Sequence, residues 1–350
     1  MFYSSSLADM PLLPSLLESL LSPMVLAFLL GLIAVWVRSD LKIPEEFYAA
    51  MTIYLLFGIG LKGGAKLDGV AVADFARPAA AALLLCVAIP IWSFVILRRL
   101  GRFSGTDAAA VAAHYGSVSV VTFGASLAFL DARGVAHEGF LPAVLALMEV
   151  PGILVALLFA RSMGASASAA VPATANAFLP ATFRASEWRQ LLHELFASKG
   201  ILLLVGGLMI GLLSGKKGYE QVGPFFDAPF RGVLALFLLE LGLSAGRRLA
   251  DLRKAGAFLA GFAILMPLLH GLLGVWLGQQ AGLSVGGATV LGTLAASASY
   301  IAAPAAVRVA LPQANPALYL TASLAVTFPF NVVIGIPTYF AFARWLFGTA

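Results

Sequence analysis

The sequence predicts an all-α integral membrane protein with ten transmembrane helices, arranged as two inverted repeats of five. Three observations predict this class. The 350-residue chain is 61% hydrophobic and 11% charged, whereas globular domains carry roughly 25% charged residues. Apolar stretches near the length that a spanning helix needs, about 20 residues, recur along the chain. The second half of these stretches repeats the pattern of the first half.

The apolar stretches follow one another with short connections. They cover residues 22–38, 47–64, 77–98, 107–129, 139–161, 199–214, 229–247, 256–278, 286–308 and 316–346. The sixth is short, and the fourth, ninth and tenth are interrupted by Gly, Ser, Thr, Asn or Pro. Polar or irregular backbone is tolerated at membrane depth only where protein or a water-filled cavity surrounds it. The interrupted stretches therefore predict an interior site.

The two halves match in order, at a nearly constant spacing. The matched pairs are Ser22 with Ser198, Gly60 with Gly242, Pro90 with Pro267, Ser117-Val118-Ser119 with Ser297-Ala298-Ser299, and Glu149 with Thr327. Each repeat has an odd number of spans, so the second must insert upside down relative to the first. Inverted repeats with broken helices are typical of secondary transporters, whose sites lie near the bilayer midplane. We assign residues 1–161 to the first repeat, 162–198 to a linker and 199–350 to the second repeat.

The basic residues predict the orientation in the membrane. Loops on the side of the N-terminus carry eight Lys and Arg residues, and loops on the opposite side carry fourteen. The positive-inside rule then places both termini outside and the linker in the cytoplasm. This distribution also explains the net charge of +5 without nucleic-acid binding. Residues 164–177 of the linker are rich in Ala and Ser and predict a flexible segment.

The second part of the linker predicts an amphipathic helix over residues 184–196. Apolar residues recur there at helical spacing, namely Trp188, Leu191, Leu192, Leu195 and Phe196. Such a helix either lies on the membrane surface or packs on the helix bundle. The sequence leaves these two alternatives open.

The fourth and ninth spans carry the candidate ion site. A helix interrupted at mid-membrane exposes N–H groups at one end and C=O groups at the other, which attract an anion and a cation respectively. Gly116 and Gly124 in the fourth span, and Pro304 in the ninth, are candidate breaks. The hydroxyl-bearing residues around them are Ser117, Ser119, Thr122, Ser297 and Ser299. Small residues also allow helices to pack closely, but Ser-x-Ser at equivalent positions of both repeats favours an ion site.

Ionisable residues at membrane depth are costly and are therefore functional candidates. Glu149 precedes Pro151, whose ring frees a carbonyl one turn upstream, and its carboxylate could balance a Na⁺ ion. The counterpart of Glu149 is Thr327, which Asn331 follows one turn later. Oxygen atoms of these three side chains are suitable Na⁺ ligands.

Three further ionisable residues fall within apolar stretches. His114 could bind an anion or relay a proton, although an interior histidine with a satisfied hydrogen bond is an equal alternative. Glu240 is expected to pair with Arg247 or Arg248, and His270 has no polar neighbour in sequence and is expected to pack in the interior. No HExxH, GxSxG or Walker A pattern occurs in the sequence. We therefore expect no catalytic residues, no cofactor and no use of ATP.

Three motifs resemble the sodium-dependent bicarbonate transporter family, and the resemblance runs over nearly the whole chain. They are Leu41-Lys42-Ile43-Pro44, the stretch YLLFGIGLKGG over residues 54–64, and the stretch AAHYGSVSVVTF over residues 112–123. The resemblance implies a gate domain of helices 1, 2, 6 and 7 and a core domain of helices 3–5 and 8–10. It also implies a homotrimer in the inner (plasma) membrane and Na⁺/bicarbonate symport by an elevator-like movement of the core. Some relatives bind a PII-like regulatory protein at the cytoplasmic face.

The resemblance and the residue chemistry together define two predicted site sets. The bicarbonate set is Gly116, Ser117, Val118, Ser119, Ser297, Ala298, Ser299 and Tyr300. The sodium set is Ser119, Thr122, Glu149, Ser299, Thr327 and Asn331. Binding both ions together costs less than burying either charge alone, which would couple their transport.

Alternative functions remain open from the sequence. The first is a Na⁺ symporter of the same architecture for another small anion, such as a short carboxylate. A larger organic anion would require an Arg or Lys at membrane depth, and none lies there, because the Lys and Arg of the apolar stretches fall near their ends. An anion channel, or an intramembrane enzyme that uses His114 and Glu149, would belong to a different class.

Overall fold

The computed structural model describes residues 20–67, 69–162 and 185–349, and these ranges contain helices and connecting turns but no strand. The helices are α1 (Pro23–Trp36), α2 (Glu45–Leu67), α3 (Val72–Arg99), α4 (Gly105–Gly116), α5 (Val120–Ala132), α6 (Leu141–Met148), α7 (Pro151–Ser162), α8 (Ala185–Phe196), α9 (Lys199–Asp227), α10 (Phe230–Gln280), α11 (Val285–Ala296), α12 (Ala303–Ala310) and α13 (Pro316–Leu346). Helix α13 contains two π-helical segments, Thr321–Thr327 and Asn331–Gly335. The predicted all-α class is confirmed.

Seven helical segments in the described ranges are long and apolar enough to cross a membrane, and α1 and α11 are apolar but shorter. The segment Gly105–Ala132 among the seven contains α4 and α5, and Leu141–Phe159 contains α6 and most of α7. The chain is therefore a multi-pass membrane protein. Ten crossings in two inverted repeats stay a prediction.

Serine residues cap the N-termini of α1, α4, α9 and α11. Ser22 and Ser198 accept hydrogen bonds from the amides of the third residue along, at 3.3 and 3.4 Å. Ser104 and Ser284 do the same at the starts of α4 and α11, at 3.0 and 3.1 Å. A serine at this position satisfies an amide that has no partner within the helix. These caps explain where α1, α4, α9 and α11 begin.

Glycine residues bring two pairs of helices into backbone contact. A Cβ atom on Gly31 of α1 would overlap the Leu239 carbonyl oxygen of α10, and one on Gly242 would overlap the Phe28 carbonyl oxygen. Helices α2 and α9 meet in the same way, through Gly60 and Gly211. Lipid tails are as apolar as leucine, so close packing at small residues is a main source of attraction between membrane helices.

Helix α10 contains two straight segments joined at Gly256, which has φ 84° and ψ 160°. This backbone conformation is essentially restricted to glycine. The first segment packs on α1 at Gly242, and the second packs on α11, where a Cβ on Gly274 would lie 2.8 Å from the Cα atom of Gly292. The predicted spans 229–247 and 256–278 correspond to these two segments. Helix α9 has a similar bend at Gly215, with φ 59°.

Two clusters of buried apolar side chains form the interior. The larger lies among α3, α4, α7, the second segment of α10, and α11. The smaller joins α1, α2 and the first segment of α10 to α5 and α13, through residues such as Val25, Met51, Leu234, Val121 and Phe328. The second cluster is thus an interface between two groups of helices.

The predicted amphipathic helix of the linker is helix α8. Its Leu191 and Leu195 are 1% and 2% exposed and belong to the larger apolar cluster, where α8 packs against α12 and the start of α9. Of the two alternatives, the structure selects packing on the protein. The predicted flexible segment 164–177 lies outside the described residues.

Candidate functional site

The first helix break separates α4 from α5. Helix α4 ends at Gly116, and Ser117 and Ser119 adopt extended backbone conformations with ψ angles of 166° and 115°. Gly116 lies against the backbone of α7, where a Cβ would be 2.8 Å from the Gly152 carbonyl oxygen. The break therefore begins at Gly116. The expected break at Gly124 is wrong, because Gly124 lies inside α5 and faces Phe230 and Leu234.

The second break separates α11 from α12. Helix α11 ends at Ala296, Ser297 is extended with ψ 164°, and α12 begins at Ala303. Pro304 lies in the first turn of α12, where the missing N–H leaves no hydrogen bond unmade. Pro304 starts this helix rather than breaking the preceding one.

The two breaks cross each other and are joined by hydrogen bonds. The amide of Ser299 donates to the His114 carbonyl oxygen at 2.8 Å. The amide of Ser119 donates to Ser297 Oγ at 2.9 Å, and Ser119 Oγ donates to the Tyr300 hydroxyl at 3.1 Å. All four serines of the two Ser-x-Ser motifs are buried. We call this arrangement the helix crossing.

Helix N-termini meet at the helix crossing. Ser119 caps α5 by accepting from the Thr122 amide at 3.2 Å, and Ser299 Oγ accepts from the Ala303 amide at 3.2 Å at the start of α12. The C-termini of α4 and α11 end at the same place. Helix N-termini carry partial positive charge and C-termini partial negative charge. The helix crossing thus presents dipole ends that suit both an anion and a cation.

A third break brings a carboxylate to the helix crossing. Helix α6 ends at Met148 and α7 begins at Pro151, so Glu149 lies between two helices, 5% exposed. The carbonyl oxygen of Glu149 accepts a hydrogen bond from Ser117 Oγ at 2.8 Å. A narrow cleft of about 10 Å³, roughly the room that one water molecule needs, lies beside the crossing. Its lining residues are Leu56, Val118, Ser119, Val120, Glu149, Gly200, Ser299, Tyr300, Ile301 and Ala302.

A comparison of the sequence with known protein families identifies the family of the chain. Residues 23–344 match the sequence profile of the Na⁺-dependent bicarbonate transporter superfamily. The chain belongs to this superfamily. The resemblance carried by the three sequence motifs is confirmed. A search of curated proteins found no significant match.

Membership of the superfamily supports transport of bicarbonate and a transporter rather than an enzyme. Na⁺ is the coupling ion, and the family indicates no cofactor. Within the described part of the chain, no three His, Cys, Asp or Glu side chains gather in a way that could hold a metal ion.

The structure brings some of the predicted bicarbonate residues together at the cleft. Val118, Ser119, Ser299 and Tyr300 line it. Four others, Gly116, Ser117, Ser297 and Ala298, are buried behind it. Their backbone and hydroxyl groups join the helix ends to one another.

The predicted sodium residues divide in the same way. Ser119, Glu149 and Ser299 line the cleft, and Thr122 lies in the first turn of α5. Thr327 and Asn331 lie in the π-helical segments of α13 and do not line it. A π-helical turn inside an α-helix often marks a functional site.

Thr327 and Asn331 hold neighbouring helices in place. Thr327 Oγ1 donates to the Ala263 carbonyl oxygen at 2.7 Å and accepts from the Tyr115 hydroxyl at 2.6 Å. Asn331 Nδ2 donates to the carbonyl oxygen of Ala296, the last residue of α11, at 2.8 Å, and its Oδ1 accepts from Tyr339. These bonds fix the end of α4 and the end of α11 on either side of the helix crossing.

His114 lies one turn before the first break and is fully buried. Its Nδ1 is 2.7 Å from the Ala110 carbonyl oxygen and must donate, because a carbonyl only accepts. Its ring stacks on Tyr319 at 4.4 Å. His114 does not line the cleft, and its backbone carbonyl is the group that contacts the second break.

The expected ion pair of Glu240 is wrong. Glu240 accepts a hydrogen bond from Ser244 Oγ at 3.0 Å and forms no ion pair with Arg247 or Arg248 among the described residues. His270 packs in the interior as expected, 1% exposed, and its Nε2 also accepts from Trp92 Nε1 at 2.7 Å. Trp92 follows Pro90 by two residues, and His270 follows Pro267 by three. Their positions close behind the matched prolines could have revealed the contact.

Proposed function

We propose that this transporter carries Na⁺ and bicarbonate together into the cell, and that both ions bind at the helix crossing. The observation that carries the proposal is the meeting of two helix breaks with a buried carboxylate, within one cleft. Uniting opposite charges in one buried site is the physical basis of coupling.

The anion half is formed by the N-termini of α5 and α12. Bicarbonate is a small planar monoanion, and helix N-termini bind such anions through backbone amides and the helix dipole. Ser119 and Tyr300 line the cleft, and the Tyr300 hydroxyl, which accepts from Ser119 Oγ, can donate its own proton to the anion. Among the described residues no Arg or Lys lines this cleft, which favours a small inorganic ion over a larger carboxylate.

The cation half is formed by Glu149 with Ser119 and Ser299. Among the described residues, Glu149 is the one carboxylate that lines the cleft. Leaving an ionised carboxylate buried and unpaired is heavily penalised, so a Na⁺ beside it lowers the free energy of the loaded state. Thr122, Thr327 and Asn331 complete the proposed sodium set, the last two by holding the helix ends that supply backbone carbonyls.

The proposed architecture is ten spanning helices in two inverted repeats. Three observations support it. The capping serines of α1 and α9, and of α4 and α11, fall at matched positions of the two halves. Helices α4 and α11 both have 12 residues and end immediately before an extended serine. The glycine contacts are reciprocal, since α1 meets α10 as α9 meets α2.

The proposed movement is an elevator-like displacement of a core domain along a gate domain. Helices α1, α2, α9 and the first segment of α10 form the gate, and the remaining membrane helices form the core. The smaller apolar cluster lies between them. An interface built of aliphatic and aromatic side chains can slide with little loss of specific hydrogen bonds. Both termini outside the cytoplasm, and a homotrimeric assembly, complete this proposal.

Uptake of labelled bicarbonate into proteoliposomes tests the function. We expect uptake to require an inward Na⁺ gradient and to stop when an ionophore dissipates that gradient. Equal uptake with and without Na⁺ would overturn symport and favour an anion channel. Strong inhibition by formate or acetate, at concentrations close to that of bicarbonate, would favour a short carboxylate as the substrate.

A further inference from the structure

A second, larger cleft lies at the ends of α2, α5 and α9, beside the starts of α6 and α10. Its cavity volume is about 110 Å³. We call it the outer cleft, because the positive-inside rule assigns this face to the outside. Its charged lining residues are Lys62, Lys66, Asp131, Glu138, Asp227 and Arg231.

Most of these charges are engaged with one another. Lys62 Nζ lies 2.7 Å from Asp227, and Arg231 lies 3.8 Å from Asp131. Glu138 Oε1 accepts from the Ser284 amide at 2.6 Å, where the positive end of α11 compensates its charge. These contacts account for all three carboxylates.

Lys66 contacts no carboxylate directly. Among the described residues it forms no ion pair, although Asp131 and Asp227 lie near enough to act on its charge, and its alkyl chain lies across Gly139, where a Cβ would be 2.7 Å from the Lys66 Cβ. The basic and acidic side chains of the cleft balance in formal charge, so Lys66 supplies an ammonium without a carboxylate at contact distance rather than a net positive field. Lys and Arg are scarce on this face, with eight against fourteen on the other, yet three of the eight line this one cleft.

The outer cleft is continuous in its lining with the helix crossing. It shares Ile59 and Phe230 with a small apolar constriction between α2, α5 and α10. That constriction shares Leu56, Val120 and Ile301 with the cleft at the crossing. The three spaces follow one another along the interface between the two groups of helices, and the constriction separates the outer cleft from the site.

We propose that the outer cleft is an antechamber for a small inorganic oxyanion and that Lys66 recruits the anion before it enters the site. This inference rests on the proposed bicarbonate uptake and adds a residue that determines its rate of capture. An ammonium is a compact, hydrated point charge with rotatable donors, so it attracts an anion without the fixed bidentate grip of a guanidinium. Weak binding of this kind allows the anion to be passed on.

The expected effect is modest and depends on ionic strength. One unit charge at the mouth of a solvated cleft changes the local anion concentration roughly three- to five-fold at low ionic strength. The effect should nearly vanish at about 1 M salt, where the Debye length is about 3 Å. Turnover at saturating bicarbonate should not change, since Lys66 does not line the site.

The first experiment compares Lys66→Gln with Lys217→Gln in proteoliposomes. Lys217 carries the same charge on the same predicted face, is exposed and lies outside the outer cleft. We expect the Lys66 variant to raise the apparent KM for bicarbonate about three- to five-fold in low salt, and the Lys217 variant to leave it unchanged. Equal effects of both variants, or an effect that persists in high salt, would overturn the proposal.

The second experiment restores or reverses the charge chemically. The native cysteine, Cys86, is 1% exposed within α3, so a Lys66→Cys variant offers one accessible thiol among the described residues. A membrane-impermeant methanethiosulfonate that adds an ammonium group should return the KM to the wild-type value. The sulfonate analogue should raise it further. Identical results with both reagents, or labelling only from the opposite face, would overturn the proposal.

These outcomes are separable from those for the proposed function. If bicarbonate uptake by the unmodified protein did not depend on Na⁺, symport would fail. The ratio of the KM values of the Lys66 and Lys217 variants would still report whether the outer cleft recruits the anion.

Discussion

Ser117 joins two helix breaks through one hydrogen bond, and its replacement by alanine should separate them. The hydroxyl donates to the carbonyl oxygen of Glu149 at 2.8 Å, with Ser117 1% exposed. Among the described residues, no other donor to this oxygen is found, because the Ile153 amide bonds to Val150 instead. The Ser117→Ala variant would leave a buried carbonyl unsatisfied, which costs about 1–3 kcal/mol.

Ser126 provides a matched control. It is equally buried and donates to the Phe123 carbonyl oxygen at 2.7 Å within α5. That carbonyl keeps its partner in the helix, so Ser126→Ala should cost only about 0.5–1.5 kcal/mol. Thermal unfolding of both variants in detergent measures the difference.

Transport should separate the two variants more clearly. The Ser117 hydroxyl fixes the backbone of Glu149, whose side chain lines the cleft, so displacement of this backbone acts on the site itself. A loss of about 1.4 kcal/mol in the loaded state reduces affinity about tenfold. We expect Ser117→Ala to lower uptake at least tenfold and Ser126→Ala to leave it near the wild-type rate. Equal uptake and equal unfolding temperatures for the two variants would refute this reasoning.

Three further predictions concern the site and its supports. Glu149→Gln should weaken the apparent Na⁺ affinity about tenfold or more, measured as the Na⁺ dependence of uptake, because a charged ligand is lost; an unchanged Na⁺ dependence would place the ion elsewhere. Gly211→Val should abolish the yield of folded protein, because a Cβ at this position would overlap the backbone of α2. Gly206→Val should be tolerated, since no atom of the described residues lies within 4 Å of a Cβ at that position. A double-mutant cycle on Asp131 and Arg231 should give a coupling of no more than about 1 kcal/mol, because both side chains are about half exposed; a larger value would show that the pair is desolvated.

The sequence predicted helix breaks at Gly116, Gly124 and Pro304, and only the break at Gly116 is found where it was expected. A Cβ at Gly116 would lie 2.8 Å from the Gly152 carbonyl oxygen, so the close approach of α7 requires a glycine there. Gly124 stays helical, and a Cβ there would meet Phe230 and Leu234 only at an ordinary 3.7 Å. Hydropathy and propensity do not distinguish these two glycines, because the difference lies in how near the neighbouring helix comes.

The sequence predicted which residues gather around the site, but not which of them line the cleft and which hold the neighbouring helices. Matching the two repeats predicted that Ser119 and Ser297 would come together, and their hydrogen bond has that basis. Thr327 and Asn331 were assigned to the ion because their oxygen atoms are suitable ligands, whereas the structure directs the Thr327 oxygen to α10 and the Asn331 oxygen to Tyr339 of its own helix. Side-chain chemistry is readable from sequence, but the direction in which a helix presents it depends on tertiary packing.

The bond between Trp92 and His270 was missed for the same reason. Each residue alone is surrounded in sequence by apolar neighbours. A buried indole N–H usually finds an acceptor, so the presence of Trp92 and His270 within three residues of the matched prolines was the available signal.

The glycine contacts between α2 and α9 determine the register of the two helices as well as the distance between them. Where backbone rests on backbone, displacement by one residue replaces a glycine by a Cβ, so the register of the two helices is discrete and cannot shift gradually. The same constraint applies between α1 and α10. The interface of these helices with α5 and α13 is lined instead by larger side chains that can change rotamer as they pass one another. The positions of the glycines thus determine which helix pairs are locked in register. They also determine which surface remains available for sliding.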